Sequence, residues 1–262
     1  MNNRVLLISG SRGIAAETAK LAASRDARVF FVSRNLERCQ TLADEIESAG
    51  GESAFTTGDL AEPETAEHAV AACLKSFGRI DALYNVAGIS ARKMGDGPVH
   101  KCSIEAWDLS MQANVRSVFL LTRATVAAML DQEPLPETGQ RGVVLNMSSI
   151  QAVAPAAFHF ETHAYATSKA AIIGLTQTMA AHYARDKIRV NAIAPAVVKT
   201  PLTARAQADP VVGRYLEERQ ALTGGILDVE GIAELSVFLL GDGSRHLTGE
   251  VISPDGGWRY AL

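Results

Sequence analysis

Short apolar runs alternate with longer segments of helical spacing along nearly the whole chain, and few folds accept that order. The first run, residues 4–9 (RVLLIS), is stopped by Gly10 and followed at once by a stretch in which Ile14, Thr18, Leu21 and Ala22 share one face. This predicts a buried strand, a glycine turn and a helix in immediate succession. A second strand, ARVFFVS, ends at Ser33 and leads into a charged helix over 36–49. ESAFTTGDL predicts a third strand, and the helix after it opens on Pro63 among several acids, as a helix N-terminus prefers. IDALYNVAG is a fourth strand, followed by a loop and one long helix over 103–130. Residues 131–141, with two prolines and three acids, form an exposed connection. The pattern then resumes with GVVLNMS, a helix of small residues from Thr162, the strand KIRVNAIA, a helix over 229–240 and a closing strand in GEVISPDGG. Strands separated by helices at crossover spacing must run parallel, so the expected fold is an α/β sheet covered on both faces, formed by residues 1–262 as one domain.

Composition narrows the function. With 47% hydrophobic and 21% charged residues the chain can bury a large core, and a net charge of −4 provides no general attraction to nucleic acid or to an anionic membrane. The apolar run at the start is too short for a signal-peptide core, and no run approaches membrane-spanning length, so the expected location is the cytoplasm. Cys39, Cys73 and Cys102 are scattered and odd in number, the pattern of reduced structural thiols.

Three places carry chemistry. Gly10 and Gly13 allow a tight turn and a close backbone approach, and the helix that follows presents unpaired N–H groups to a pyrophosphate. At the end of the second strand stand Ser33 and Arg34, with Arg12 in the glycine turn able to converge on them. Hydroxyl and guanidinium donors suit a 2′-phosphate, where an acid would suit free ribose hydroxyls; NADP is therefore favoured, with NAD as the alternative. Tyr165 and Lys169 lie four apart and so share a helix face, where an ammonium favours the phenolate. Tyr183 and Lys187 have the same spacing but no serine motif before them, and are read as structural.

Together these residues resemble the short-chain dehydrogenase/reductase family, and the resemblance runs over nearly the whole chain. Its glycine turn is matched by residues 9–15 (SGSRGIA), its adenine-side acid by Asp59 with Leu60, and its NNAG element by Asn85, Val86, Ala87 and Gly88. Asn114 in MQANV, Ser149 in NMSSI, the Tyr165/Lys169 pair, the RVNAIAP element ending at Pro195 and the closing TGEVISPDGG complete the series. The resemblance implies a Rossmann-like, doubly wound fold with a seven-stranded parallel sheet. It also implies a hydride transfer between NADP(H) and a secondary alcohol or ketone. Tyr165 would be the general acid/base, Ser149 would hydrogen-bond the reacting oxygen, Lys169 would lower the tyrosine pKa and hold the ribose, and Asn114 would anchor a relay water. The cofactor would be held by Gly10, Ser11, Arg12, Gly13 and Ile14 at the pyrophosphate, by Asp59 and Leu60 at the adenine, and by Val198 and Thr200 at the carboxamide. Asn85, Ala87, Gly88 and Pro195 would border it.

The chain departs from the family pattern in several places. Only Ser11 and Arg12 separate Gly10 from Gly13, where the family has three residues, and Ala15, Val86 and Ala196 replace a glycine, an asparagine and a glycine. The 16 positions from Ser149 to Tyr165 exceed the usual spacing, which places an insertion in residues 152–163, beside the substrate. Within it His159 and His163 lack the partners a metal site needs, while Phe158 and Phe160 read as an apolar wall. Ser148 lacks the glycine flanks of a hydrolase nucleophile. A mobile lid is expected over 196–222, where Leu202 and Tyr215, with Met94 outside it, suggest an apolar pocket for a sugar or polyol, a 3-oxoacyl thioester or a cyclic ketone. A dinucleotide-binding regulatory or scaffold protein is the alternative reading, motivated by the short glycine turn. The small-residue helix, and the family, imply a homo-oligomer, a tetramer before a dimer.

Overall fold

The computed structural model describes Met1 and residues 3–261 of the chain. Seven parallel strands form one sheet in the order β3-β2-β1-β4-β5-β6-β7. They are β1 (Val5–Ser9), β2 (Arg28–Ser33), β3 (Glu52–Thr57), β4 (Ala82–Asn85), β5 (Gly142–Met147), β6 (Ile188–Ile193) and β7 (Val251–Ile252). All five residues of β1 are buried, as expected of a central strand covered on both sides. Its side chains alternate between two cores. Leu6 and Ile8 pack with α1 (Ile14–Ala23), α2 (Leu36–Ser48) and, from the far end of the chain, the helix Val229–Leu240. Val5 and Leu7 face α3 (Pro63–Phe77) and the helix Ser117–Asp131.

The helices begin where local chemistry starts them. Asn35 caps α2 by accepting from the Arg38 amide at 2.8 Å. Pro63 is the first residue of α3. Ser103 caps α4 (Ile104–Met111) through the Ala106 amide at 3.1 Å. The single long helix expected over 103–130 is three pieces in one line: α4, a π-turn over Gln112–Arg116, and α5 (Ser117–Asp131). Asn114 sits in the π-turn, where widening the helix changes the direction of one residue relative to its neighbours. The remaining helices are α6 (Ile150–Val153), α7 (His163–Tyr183), α8 (Ala204–Ala208), α9 (Pro210–Arg219) and α10 (Val229–Leu240).

Strand order reverses between β1 and β4. Beyond β1 the chain winds outward to β3, then returns past β1 to begin the other half at β4. The connections on the two sides diverge there, so a crevice opens beyond the carboxyl ends of β1 and β4. The backbone amides left without ladder partners at that parting are served by one hydroxyl. Ser9 Oγ accepts from Val86 N at 2.9 Å and from Ala87 N at 3.0 Å.

Candidate active site

A cavity of about 560 Å³ occupies the crevice, lined by the glycine turn, the ends of β2, β4 and β5, the start of α7 and the segment after β6. The volume suits a ligand larger than a simple metabolite. At its floor Gly10 and Gly13 have φ of 107° and 56°, backbone that side chains rarely adopt. A Cβ on Gly13 would stand 3.3 Å from Thr200 Cγ2, so the turn and the post-β6 segment meet with no room to spare. Gly13 is also the N-cap of α1 and offers that helix no side-chain acceptor, and the first residues of the helix, Ile14 and Ala15, whose N–H groups lack intrahelical acceptors, line the cavity. A dinucleotide pyrophosphate fits this cradle.

The outer end of the cavity is basic. Arg12, Ser33 and Arg34 line it, as expected, and Asn35 and Arg38 join them. Arg38 was not anticipated from the sequence; the clue was its position one helical turn beyond Arg34, at the start of a helix capped by Asn35. Arg34 lies 3.7 Å from Asp59, but both side chains are largely exposed, and a pair of that kind holds neither partner firmly. Leu60, Ala87, Gly88, Pro195, Val198 and Thr200 also line the cavity, together with Ser11 and Asp59.

At the inner end Ser149, Tyr165 and Lys169 line the same space. Ser149 caps the single turn α6 by accepting from the Gln151 amide at 3.2 Å, which fixes the serine at the tip of β5. Ser148 borders the same space, but its hydroxyl is spent donating to the Lys169 carbonyl at 2.8 Å, joining β5 to α7. Lys169 is 3% exposed; its Nζ donates to the Met147 carbonyl at 2.8 Å and lies 5.9 Å from the centre of the Tyr165 ring. Burial alone pulls its pKa from 10.5 down to about 8. Burial also pushes the Tyr165 phenol upward, an effect that the Ser149 hydroxyl beside it partly offsets. The expected lowering of the phenol by the neighbouring ammonium is thus not a property of the chain alone. Desolvation disfavours both charged forms, and it dominates.

Two expected site residues do not line the cavity. The Asn85 amide donates to Thr122 Oγ1 at 2.9 Å and to Asn146 Oδ1 at 2.8 Å, inside the protein. Its place is beneath the site, tying β4 to β5 and α5. The side chain of Asn114 is fully engaged as well. Its Oδ1 accepts from Ile89 N at 2.8 Å, while Nδ2 donates to Ile89 O at 3.0 Å and to Ser168 Oγ at 3.0 Å. The Asn114 amide therefore clamps the loop after β4, and anchoring a water would fall to another of its atoms. Gly88 is squeezed between these groups, since a Cβ there would lie 3.0 Å from Asn114 Oδ1 and 3.2 Å from Lys169 Nζ.

The insertion after Ser149 packs against α9 and the end of the chain. Phe160 joins a cluster with Tyr215 and Trp258, at ring separations of 6.4 and 6.0 Å, and Trp258 Nε1 donates to the Ala154 carbonyl at 2.9 Å. Phe158, expected beside it in the apolar wall, is instead 67% exposed. The expected lid over 196–222 begins with three buried residues, Ala196, Val197 and Val198, the last bridged to Leu227, and continues into α8 and α9.

The family model described as enoyl-(acyl carrier protein) reductase matches residues 8–259. A solved short-chain type dehydrogenase/reductase from Mycobacterium ulcerans superimposes with a TM-score of 0.89 at 25% identity, covering 100% of this chain and 91% of the other. The chain belongs to the short-chain dehydrogenase/reductase family. Among its curated relatives are 2,5-dichloro-2,5-cyclohexadiene-1,4-diol dehydrogenase of Sphingobium indicum, 30% identical over 97% of this chain and 96% of the relative, and 3beta-hydroxysteroid dehydrogenase 1 of Eggerthella lenta, 33% identical over 97% and 92%. Short-chain dehydrogenases/reductases are oxidoreductases that use a nicotinamide dinucleotide, and the glycine cradle described above fits that group. None of the helices among the described residues is long and apolar enough to cross a membrane.

Proposed function

We propose that the protein interconverts a secondary alcohol and a ketone with a preference for NADP(H). The observation that carries this reading is the placement of Tyr165, Ser149 and Lys169 at one end of a cavity whose other end gathers Arg12, Arg34 and Arg38. When bound, the cofactor supplies or accepts the hydride. The backbone of residues 10–14 would hold its pyrophosphate, Asp59 and Leu60 its adenine, and Val198 and Thr200 its carboxamide. Ser33 with the three arginines would hold a 2′-phosphate.

Tyr165 would give its phenolic proton to the carbonyl oxygen in reduction and take it back in oxidation. Ser149 would donate a hydrogen bond to the same oxygen and so stabilise the charge that develops there. Lys169, kept from water, would act as a cation whose field on the phenolate is strengthened by the low dielectric around it. Among the described residues no carboxylate pairs with its buried ammonium, whose one hydrogen bond goes to the Met147 carbonyl, so its charge remains available to the site. The relatives' named substrates, a cyclohexadiene diol and a hydroxysteroid, favour a cyclic substrate over a sugar or an acyl thioester. Residues 196–222 would close over it. Exposed Ile104, Trp107 and Phe119 on α4 and α5 support assembly into a homotetramer.

The test is NADPH oxidation, followed by nicotinamide absorbance, with cyclohexanone, a ketose and a 3-oxoacyl thioester offered in parallel. The expected outcome is turnover of the cyclic ketone and a loss of about 10³-fold or more in Tyr165→Phe with dinucleotide binding retained. A Tyr165→Phe protein as active as the parent would remove the tyrosine from the mechanism. Dinucleotide binding without turnover of any ketone would favour the regulatory or scaffold reading.

A further inference from the structure

The helix that carries Tyr165 starts without a cap of its own. Thr162 stands at the N-cap position of α7, but its side chain makes no capping hydrogen bond. The first amides of a helix have no intrahelical acceptor, and here that of Ala164 is buried and that of Tyr165 partly buried. Their acceptor comes from 68 residues earlier. Asp96 Oδ1 accepts from Ala164 N at 3.0 Å, and Asp96 Oδ2 accepts from Tyr165 N at 3.0 Å. Asp96 is only 5% exposed; the Cys102 thiol lies 3.8 Å from Oδ1, and Arg92 is near enough for its guanidinium to feel the carboxylate's charge.

The segment bearing Asp96 is itself fixed at several points. Asp96 N donates to the Ala91 carbonyl at 3.1 Å, and Ser103 N to the Gly95 carbonyl at 3.1 Å. Two further bonds reach α7: His163 N donates to Gly97 O at 3.3 Å, and Val99 N to His163 Nδ1 at 3.0 Å. At its other end the same segment is clamped through Ile89 by the Asn114 amide. The loop from Ile89 to Ser103 therefore spans from the π-turn to the start of α7.

We propose that Asp96 is a positioning residue for Tyr165, and that this loop is a brace fixing the tyrosine's backbone relative to Asn114 and Lys169. The proposal rests on Tyr165 being the acid/base for its consequence in turnover, but the brace itself is a statement about two backbone amides. A carboxylate with both oxygens on consecutive N–H groups sets the orientation of the helix start as well as its position. A shift of the phenol by a fraction of an ångström would be felt in the proton transfer and hardly at all in dinucleotide binding, whose cradle lies on other strands.

Two variants and two measurements test it. In Asp96→Ala, hydrogen exchange of the Ala164 and Tyr165 amides, measured on the protein without added dinucleotide, should speed up by about 30-fold or more while the β5 amides keep their protection. Asp96→Asn retains one acceptor oxygen and should restore protection at one of the two amides, the other staying fast because the new NH2 cannot accept from it. With NADPH and cyclohexanone, kcat of Asp96→Ala should fall by about 30- to 100-fold with the KM for NADPH within about twofold of the parent, and Asp96→Asn should return to within about fivefold of the parent's kcat. Unchanged exchange at Ala164 and Tyr165 would overturn the brace, as would a loss of protection spread equally over β5, which marks a general loss of stability. If the brace holds in exchange but kcat is unaltered, Asp96 is a helix cap and the positioning role is refuted. A parent protein that turns over no ketone defeats the acid/base reading instead, and the exchange result then decides the brace alone.

Discussion

Replacing Lys169 by methionine should make the protein more stable at neutral pH, although the lysine is proposed to serve the reaction. The ammonium is buried, makes one hydrogen bond to the Met147 carbonyl, and has its pKa pulled from 10.5 to about 8 by desolvation. At about 1.4 kcal/mol for each tenfold change in the proton equilibrium, keeping it charged in the folded state costs about 3 kcal/mol. Methionine fills nearly the same volume without the charge but leaves the Met147 carbonyl unpaired, which takes back about 1–2 kcal/mol. The net gain is about 1–2 kcal/mol, or roughly 2–4 °C in Tm for a chain of this size. Its pH dependence has a definite sign. Below about pH 8 the lysine is charged in folded and unfolded chains alike and the full cost is present. Between there and 10.5 the folded chain gives up its proton first, so the parent gains stability as pH rises and the variant's advantage shrinks. The raised Tyr165 pKa acts in the opposite sense only above its ordinary value of 10, so the comparison runs from pH 7 to 10. Thermal unfolding followed by circular dichroism, at one protein concentration and without dinucleotide, measures it. A variant that melts below the parent at pH 7, or a gap that stays constant across the range, would refute the assignment of desolvation as the dominant force on Lys169.

Two further substitutions probe the rest of the site. Arg38→Ala should lower kcat/KM for NADPH by about 10- to 100-fold while leaving NADH within about threefold, as expected when one charge-assisted contact to a phosphate is lost; steady-state kinetics with both cofactors checks it. Ser9→Ala removes the acceptor shared by the Val86 and Ala87 amides and should cost about 2–3 kcal/mol, measured by denaturant unfolding, through two donors left unserved at the parting of β1 and β4.

The strands and most helices were legible because each has a local cause. Leu6 and Ile8 alternate with Val5 and Leu7, Pro63 opens α3, and the apolar spacing over 229–240 coincides with α10. The cavity's Ser149, Tyr165 and Lys169 followed from motifs that were read together. What escaped the sequence depends on direction or on distance along the chain. A π-turn has the composition of an α-helix, so the interruption at Asn114 was invisible, and with it the turning of that amide onto Ile89. Asn85 lies at the right strand end but points into the Thr122–Asn146 network. The raised phenol pKa comes from burial, which spacing between Tyr165 and Lys169 does not report. Asp96 sits in a loop with no periodicity, and its relation to α7 exists only after the chain has folded.

The last strand of the sheet has a consequence of its own. β7 contributes only Val251 and Ile252, and the chain leaves it at once through Pro254 toward Trp258. A border this short exposes little free backbone, and a proline beside it lacks an amide to donate. The sheet therefore ends in a blunt margin that resists lengthening by a strand from a second molecule. At this edge any contact with a second copy would fall to side chains, which substitution can change without disturbing the ladder of hydrogen bonds beneath the crevice.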